Sequence, residues 1–596
     1  MGLHFIFGAA GTGKTRRCCE EIRDYVTGKK GRSAFFLVPD QETYTAERML
    51  ADIFPGHGFI DATVCGFSRL AYRVFNELRS PVQDALSPLG QQIIISRILA
   101  EHRDELQMLM KISSQPHFAE NLMNLFHQLD MFCISETAFH EASRAEEGTP
   151  LGRKLADLSL LYKNYHDYLH SRFSYEGSLF DLLAGEIPKS EILRRSRIWI
   201  DGFNGMTPQK IRIVSALIRT AEEVTFTIPL PDAKEGLSNE IFARPANLYA
   251  LLSEKEPRFD SVTLPERKRF RCPRLRCLAA DYFQNVPSPC PLPKETSPVP
   301  EKGIHIVSAP DSQAEADFIS RRILSLVRDK NLRWRDILVL LRSADTYTDP
   351  LERSFSRYGI PVFTDEKQPM NNHPLVMLLD GLLHFIKAES RGKNRGFTRE
   401  HIFRILKTEI FPSFPADTID KLENYVLKYH IRFSTWQKPW VFRDYRSIDQ
   451  EPAPLSDKEI TKQNTANTWR EKVLSLLNPF LAGWKGALSA EDKCAFLYRW
   501  LTEQQIPETL SVWDELEFEK TKKRPHLQVW KKVLSLLDEI VHVTGKDILP
   551  EEELCGILAD GLSALTFSMI PPTLDHVTVT SMDRGYAAEA KVVFIP

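Results

Sequence analysis

A glycine-rich segment near the N terminus has the residue types and spacing of a phosphate-binding loop. Residues 8–15 read GAAGTGKT and fit the pattern G-x-x-x-x-G-K-[ST]. Its glycines let successive backbone N–H groups point at phosphate oxygens, and the N terminus of a following helix adds partial positive charge. The lysine would reach the β- and γ-phosphates and the threonine hydroxyl would ligate Mg²⁺. The residues expected to bind nucleotide and Mg²⁺ are Gly8, Gly11, Thr12, Gly13, Lys14 and Thr15.

The elements around this loop predict a buried sheet. Residues 4–7 form a short apolar run typical of a buried strand, and apolar side chains at helical spacing follow Lys14. Further strands are predicted at 33–38, 60–64, 197–201 and 224–228. One of these strands ends on Asp201, where a carboxylate would lie close to the Mg²⁺ that Thr15 holds.

The residue after Asp201 affects whether a bound nucleotide can be hydrolysed. An active helicase-type ATPase needs a glutamate there to polarise the attacking water. Position 202 is glycine, and residues 202–205 contain no carboxylate. The nearby acids Glu222 and Glu223 precede the next predicted strand, so we expect them to be solvated. The sequence therefore predicts nucleotide binding with slow or absent hydrolysis.

Aromatic and basic side chains follow the strand predicted at 60–64. Phe67 and Tyr72 could stack on bases, while Arg69 and Arg73 could hold phosphates or base edges. Alternatively, Phe67, Leu70 and Tyr72 are the buried face of the next helix.

Composition argues against a strongly basic protein, a disulfide-rich protein and a membrane-spanning protein. The chain has 596 residues, and at roughly 150 residues per domain this predicts about four domains. The net charge is only −2, so any nucleic-acid surface must be a local basic patch. Nine cysteines in so long a chain predict reduced thiols. Because the first residues already form the loop's strand and no apolar run could span a bilayer, we expect a cytoplasmic protein without membrane contact.

The amino-acid composition changes over residues 265–302, first to basic residues and then to prolines. Basic side chains crowd ten positions, and prolines then follow closely between 287 and 300. The prolines predict a stiff linker and hence a domain boundary. The basic residues could follow a DNA backbone or form a solvated linker face; they are Arg267, Lys268, Arg269, Arg271, Arg274 and Arg276.

A second α/β unit is predicted after this linker. Its strands are expected at 304–307, 337–342, 360–363, 577–581 and 592–595. Arg342, at a strand tip, could contact phosphate across a cleft between two sheets as an arginine finger does, or be an ordinary surface arginine. Residues 592–595 should form a central strand, so ending there predicts a truncated chain.

This layout resembles the superfamily-one helicases of the UvrD/RecB kind. Residues 201–208 resemble the motif D-E-F-Q-D-T-S-P with its glutamate lost, residues 580–589 resemble a decayed T-x-H-x-x-K-G-L-E, and residues 337–342 resemble the motif that ends in arginine. The resemblance implies an α/β fold of two RecA-like P-loop domains with parallel sheets, each carrying a helical insertion. The expected ranges are 1–84 and 191–264 for the first domain with insertion 85–190, 265–302 for the linker, and 303–384 and 573–596 for the second, truncated domain with insertion 385–572.

A closer resemblance is to the AddB family, called RexB in some lineages, over essentially the whole chain and about the first half of that family's length. Residues 2–15, 36–41, 66–71, 201–203 with 207–209, and 336–342 carry it. It implies a partly inactive helicase subunit that binds ATP and Mg²⁺, pairs with an AddA motor subunit on double-stranded DNA ends during break resection and recombination, and scans single-stranded DNA for a Chi sequence. The positions implied in DNA contact are Gln41, Thr43, Phe67, Arg69, Tyr72 (usually Trp) and Phe203. The family's nuclease domain, with a four-cysteine iron–sulfur cluster, would lie beyond Pro596.

Two other functions stay open at this point. One is a working DNA translocase whose water-polarising residue comes from elsewhere in the chain. The other is a P-loop enzyme unrelated to DNA, which would not bind single strands.

Overall fold

The chain folds around two parallel sheets that helices cover and connect. The computed structural model describes residues 2–596 except 29–32, 55, 57, 81–85, 114, 116–117, 173–175, 233–239, 271, 283–302, 365–368, 442–455, 522–523, 568–574 and 583–589. Over this described part it is a mostly helical α/β protein with one six-stranded and one four-stranded sheet. The parallel α/β character expected from the sequence is confirmed.

The first sheet is wholly parallel, with the order β3-β2-β4-β5-β1-β6. Its strands are β1 (Leu3–Phe7), β2 (Ala34–Leu37), β3 (Ala62–Cys65), β4 (Arg197–Ile200), β5 (Glu223–Ile228) and β6 (Phe259–Thr263). The side chains of β2 are buried on both faces, as helices on both sides of a parallel sheet require. The carboxyl ends of β1, β2, β3 and β4 therefore meet along one edge.

Helices follow most strands of this first sheet. They are α1 (Lys14–Gly28), α2 (Thr43–Ile53), α3 (Phe67–Leu78), α4 (Pro88–Glu101), α5 (Phe118–Met131), α6 (Glu136–Ala145), α7 (Pro150–Arg172), α8 (Glu176–Glu186), α9 (Glu191–Arg194), α10 (Pro208–Thr220), α11 (Ala243–Lys255) and α12 (Pro273–Asp281). Helix α4 begins with a serine N-cap followed by proline, a sequence pattern typical of a helix start. The Ser87 hydroxyl oxygen accepts from the backbone N–H groups of Leu89 and Gly90 (3.1 and 3.4 Å), and Pro88 is the first helical residue.

The second sheet has the order β10-β7-β9-β8 and is also parallel. Its strands are β7 (Ile337–Leu341), β8 (Val362–Thr364), β9 (Val577–Ser581) and β10 (Val592–Phe594), and helices α13 (Ser312–Lys330) and α14 (Ala344–Tyr358) belong to the same unit. Ile323 and Phe355 from these helices pack with Val339 and Val579 of the sheet in one core. This core is separate from the two cores on either side of the first sheet.

One predicted strand is absent, one lies in a different place in its sheet than predicted, and one observed strand was not predicted. Residues 304–307 form no strand, and Ile306 is 96% exposed, because no sheet edge pairs with this apolar run. Residues 592–594 do pair, but at the outer edge of the sheet beside β7 and not at its centre, so Val593 is 43% exposed. Strand β6 was missed since its FDSVT sequence is half polar, which is tolerated at an edge that pairs only with β1.

The remaining helices are α15 (Pro374–Ser390), α16 (Arg399–Leu406), α17 (Ala416–Lys428), α18 (Asp457–Gly486), α19 (Ala490–Glu503), α20 (Ile506–Thr521), α21 (Pro525–Thr544) and α22 (Glu551–Ser563). They share one hydrophobic core with α4, α5 and α7. At this junction Glu539 of α21 accepts from the backbone N–H groups of Ser87 and Gly90, both at 3.1 Å. The sequence predicted two helical blocks, and the structure joins them in a single core.

Two smaller properties bear on the sequence predictions. None of the helices in the described ranges is long and apolar enough to cross a membrane. Seven described cysteines carry free thiols, whereas Cys277 is disulfide-bonded, an exception to the expectation of reduced thiols.

Candidate functional site

The glycine-rich loop connects the buried strand β1 to helix α1, as its pattern predicts. Gly11 and Gly13 have φ of +83° and +90°, a left-handed conformation that glycine adopts without strain. The Thr12 hydroxyl donates to the carbonyl oxygen of Ala9 at 3.0 Å, which closes the loop on itself. The loop therefore curls around a point in front of the N terminus of α1.

Lys14 reaches back over the loop from the first turn of α1. Its Nζ donates to the carbonyl oxygens of Gly8 at 2.7 Å and Ala9 at 3.1 Å. Burial lowers the pKa of this ammonium group, the nearby Asp201 carboxylate opposes the effect, and Arg269 adds to it. The Lys14 ammonium group is thus held at the loop by two carbonyl oxygens, where a bound phosphate could also contact it.

Asp201 follows the last residue of β4 and is 3% exposed. Its backbone N–H donates to the carbonyl oxygen of Leu37 at 3.0 Å, and its Oδ1 accepts a hydrogen bond from the Thr227 hydroxyl on β5. Lys14 and Asp201 follow the carboxyl ends of β1 and β4 in the same parallel sheet, near enough for the Asp201 carboxylate to oppose the lowering of the Lys14 pKa by burial. Hydroxyl and carboxylate oxygens, as on Thr15 and Asp201, are the kind of ligand that Mg²⁺ prefers.

A segment that the sequence analysis assigned to the linker crosses the loop. The backbone N–H groups of Lys268 and Arg269 both donate to the carbonyl oxygen of Gly11, at 2.8 and 3.0 Å. These bonds bring the Arg269 charge close enough to Lys14 to affect its pKa. Arg271 of the same basic run lies outside the described residues.

An open cleft of about 370 Å³ adjoins the loop on this side. Its lining combines two loop residues with basic, amide and aromatic side chains. Such a lining suits a planar base together with anionic groups. The lining residues include Ala9, Ala10, Asn204, Arg244, Arg267 and Phe270, with apolar side chains such as Ile241 and Pro245 beside them.

The six residues expected to contact DNA lie at one edge of the first sheet. Gln41 and Thr43 follow β2, Phe67, Arg69 and Tyr72 lie on α3 after β3, and Phe203 follows β4. Since β3, β2 and β4 are neighbours in the sheet, the structure brings these three segments together.

Their exposure differs. The Arg69 side chain is 69% exposed, with NH1 3.7 Å from Glu47, and Tyr72 is 44% exposed. Phe67 is only 3% exposed, with its ring 5.6 Å from that of Phe203 and 5.8 Å from the Lys210 Nζ. The buried-helix-face alternative thus describes Phe67 but not Tyr72. A base could stack on Phe67 only after its neighbours move.

Arg342 is an exposed residue directly after β7, on the second sheet. Lys14 and Asp201 belong to the first sheet. The expected contact of Arg342 with phosphate stays a prediction. Of the motif at residues 580–589, the part from 583 lies outside the described residues.

The structure adds one carboxyl group that the sequence reasoning missed. Glu42 ends the short turn Asp40–Glu42 that follows β2, and burial, with the Asp201 charge as a second cause, raises its pKa to about 7. Its Oε1 is buried with no hydrogen-bond partner. The available signal was its position after a strand that could neighbour the strand ending at Asp201.

A family model and several similar proteins agree on one family for this chain. Residues 5–278 match the family model described as ADDB, N-terminal. The chain is 32% identical over 619 residues to the B subunit of the ATP-dependent helicase/deoxyribonuclease of Pelotomaculum thermopropionicum, covering 100% of this chain and 52% of that protein. Proteins of the same name from Heliobacterium modesticaldum and Geobacillus kaustophilus are 33% and 31% identical, again over 100% of this chain, with 49% and 52% of those proteins covered. The chain spans about half the length of the curated relatives it matches.

Proposed function

The chain is related along its whole length to the AddB proteins, and we propose that it is the ATP- and DNA-binding part of a helicase–nuclease subunit. In this proposal it has the degenerate fold of a superfamily-one helicase, with two RecA-like domains. It pairs with an AddA-like motor subunit in the cytoplasm and serves the resection of double-strand breaks for recombinational repair. The observation that supports it most is that Lys14 and Asp201 lie at the same carboxyl edge of the first sheet that also carries Arg69 and Tyr72.

Nucleotide binding follows from the glycine-rich loop. Lys14 would exchange its bonds to two loop carbonyl oxygens for bonds to the β- and γ-phosphates of ATP. Thr15 and Asp201 would hold Mg²⁺, which neutralises charge on the phosphates when bound. Arg342 is a further candidate contact from the second sheet.

DNA binding follows from the neighbouring segments after β2, β3 and β4. Arg69 offers an exposed cation for a phosphate, and Tyr72 an exposed ring on which a base could stack. Gln41, Thr43 and Phe203 lie on the flanking segments and could read a Chi-like sequence.

Weak hydrolysis is part of the proposal. Position 202, directly after Asp201, is glycine, and Glu223 begins β5 at the opposite edge of the sheet, where it pairs with Arg197 at 3.2 Å. An active translocase remains the alternative, because a carboxyl group from elsewhere could act in the same place. A P-loop enzyme unrelated to DNA is disfavoured by the exposed Arg69 and Tyr72 beside the site.

Nucleotide binding is tested by titrating the chain with a fluorescent ATP analogue in the presence of Mg²⁺. Lys14→Ala should abolish binding, whereas the control Lys189→Ala should leave it unchanged, since Lys189 is an exposed residue paired with Glu186. Equal binding by Lys14→Ala would reject the assigned site. DNA-stimulated turnover at tens per second that Lys14→Ala abolishes would instead favour the active translocase.

DNA binding is tested by fluorescence anisotropy with a labelled single-stranded oligonucleotide at several salt concentrations. Arg69→Ala should weaken binding and reduce the salt slope by about 1, as loss of one phosphate contact does. Arg194→Ala is the matched control, because Arg194 precedes β4 at the far edge of the sheet and pairs with Glu191. Affinity that is unchanged by substitution at both Arg69 and Phe67 would contradict the assigned DNA surface.

A further inference from the structure

The carboxyl group of Glu42 occupies the space in which a side chain at position 202 would begin. A Cβ atom added to Gly202 would lie 2.8 Å from Glu42 Oε2 and 3.0 Å from the Pro39 Cδ. Gly202 also has φ of +83°, which disfavours any residue with a Cβ. The position after Asp201 therefore has no carboxylate of its own but lies against one carried by the turn after β2.

The surroundings of Glu42 do not explain its position as a contribution to stability. Its Oε1 is cut off from solvent, and the structure gives that oxygen no hydrogen-bond donor. A buried acceptor without a partner costs about 1–3 kcal/mol. Such an unsatisfied group next to a candidate active site indicates a functional role.

The local backbone explains how the carboxyl group comes to this place. Glu42 closes the turn Asp40–Glu42 after β2, and its backbone N–H donates to the Pro39 carbonyl oxygen at 2.8 Å. Strand β4 lies directly beside β2, in a register that pairs Leu37 with Ile200. A residue shortly after Leu37 can therefore reach the residues that follow Ile200.

We propose that Glu42 supplies the carboxylate that position 202 lacks and acts as the base for slow ATP hydrolysis at the glycine-rich loop. This inference rests on the proposed ATP site. The carboxylate accepts a proton from a water molecule, the water oxygen forms a bond to the γ-phosphorus, and the bond from that phosphorus to the β,γ-bridging oxygen breaks. ADP leaves, phosphate is released, and the proton passes from Glu42 to solvent.

The same geometry predicts slow turnover. In this chain the carboxylate is carried by the turn after β2, whereas Asp201 follows β4, so two segments must keep their relative positions for the water to be aligned. Hydrolysis is then slower than in an enzyme that carries both acids on one strand end.

The test measures phosphate release by the full chain with saturating ATP and Mg²⁺, together with the affinity for a fluorescent ATP analogue. Glu42→Gln keeps the size of the side chain but cannot take up the proton, and we expect kcat to fall about 100-fold while nucleotide affinity changes less than twofold. Glu20→Gln is the control, because the Glu20 side chain on α1 is 45% exposed and accepts from Arg16 at 3.0 Å. Its kcat should equal that of the unaltered chain.

The outcomes distinguish failure of the role of Glu42 from failure of the proposed ATP site. An unchanged kcat in Glu42→Gln, or an unaltered chain that hydrolyses no faster than Lys14→Ala, would overturn the role of Glu42 while leaving ATP binding intact. Failure of the unaltered chain to bind the ATP analogue would overturn the proposed function itself. If Glu42→Gln does not fold, Glu42→Asp decides, since shortening the side chain withdraws the carboxylate and should lower kcat with unchanged affinity.

Discussion

Replacement of Gly202 by alanine tests the contact on which the role of Glu42 depends. The left-handed backbone at Gly202 (φ +83°) costs a residue with a Cβ about 1–2 kcal/mol. The new Cβ would also lie 2.8 Å from Glu42 Oε2 and 3.0 Å from Pro39 Cδ, closer than van der Waals contact allows. Overpacking of this kind adds about 1–3 kcal/mol. We therefore expect Gly202→Ala to destabilise this edge of the first sheet by about 2–5 kcal/mol.

Hydrogen exchange measured by mass spectrometry follows this region selectively. Peptides that cover β4 and the residues after it should exchange about 30-fold faster in Gly202→Ala if the loss is about 2 kcal/mol. Peptides from the second sheet, which has its own core, should not change.

A double-mutant cycle with Glu42→Ala isolates the contact between the two residues. Glu42→Ala removes the Glu42 carboxyl atoms that the new Cβ would meet, but it leaves the backbone cost and the approach of Pro39. The two substitutions should therefore be non-additive by about 1 kcal/mol. Strict additivity, or a neutral Gly202→Ala, would show that Glu42 does not lie against position 202 and would refute the reasoning.

Two further predictions concern the helical region. His373, at the N-cap of α15, accepts a backbone N–H with Nδ1 and lies 2.9 Å from His526, and burial with this neighbour lowers its pKa to about 4. Because the unfolded chain takes up this proton near pH 6.5, the free energy of unfolding falls as pH drops from 6.5 towards 4, by about 2 kcal/mol at pH 5. A His373→Asn variant keeps a capping acceptor and should lose that part of the pH dependence in thermal unfolding. Asp157 is 3% exposed and accepts from the backbone N–H groups of residues 107–109. Asp157→Ala should therefore lower the free energy of unfolding in urea by about 3 kcal/mol or more. Asp167→Ala, on the exposed side of α7, should lower it by less than about 0.5 kcal/mol. Parallel pH profiles for His373→Asn and the unaltered chain, or equal effects at Asp157 and Asp167, would contradict these assignments.

Local patterns were enough to predict the elements that carry the candidate site. The glycine spacing of residues 8–15 and the apolar run before it determine a strand, a tight loop and a helix, because glycine and burial act within a few residues of chain. The same holds for the Ser87 cap and for strand β4 ending before Asp201. Residues 304–307 show the limit of such patterns, since an apolar run becomes a strand only if another strand offers it an edge.

The composition of the site was decided by the tertiary structure. Sheet order brings Glu42 to Gly202 across neighbouring strands, and an edge strand turns the predicted linker so that Arg269 crosses the loop. Packing also decides that Phe67 is covered while Tyr72 on the same helix is exposed. The sequence by itself determined which residues could bind phosphate, because that chemistry depends on residue type and local spacing. Only the folded chain determined which carboxyl group lies against Gly202 at the candidate site, because strands far apart in sequence become neighbours only when the sheet forms.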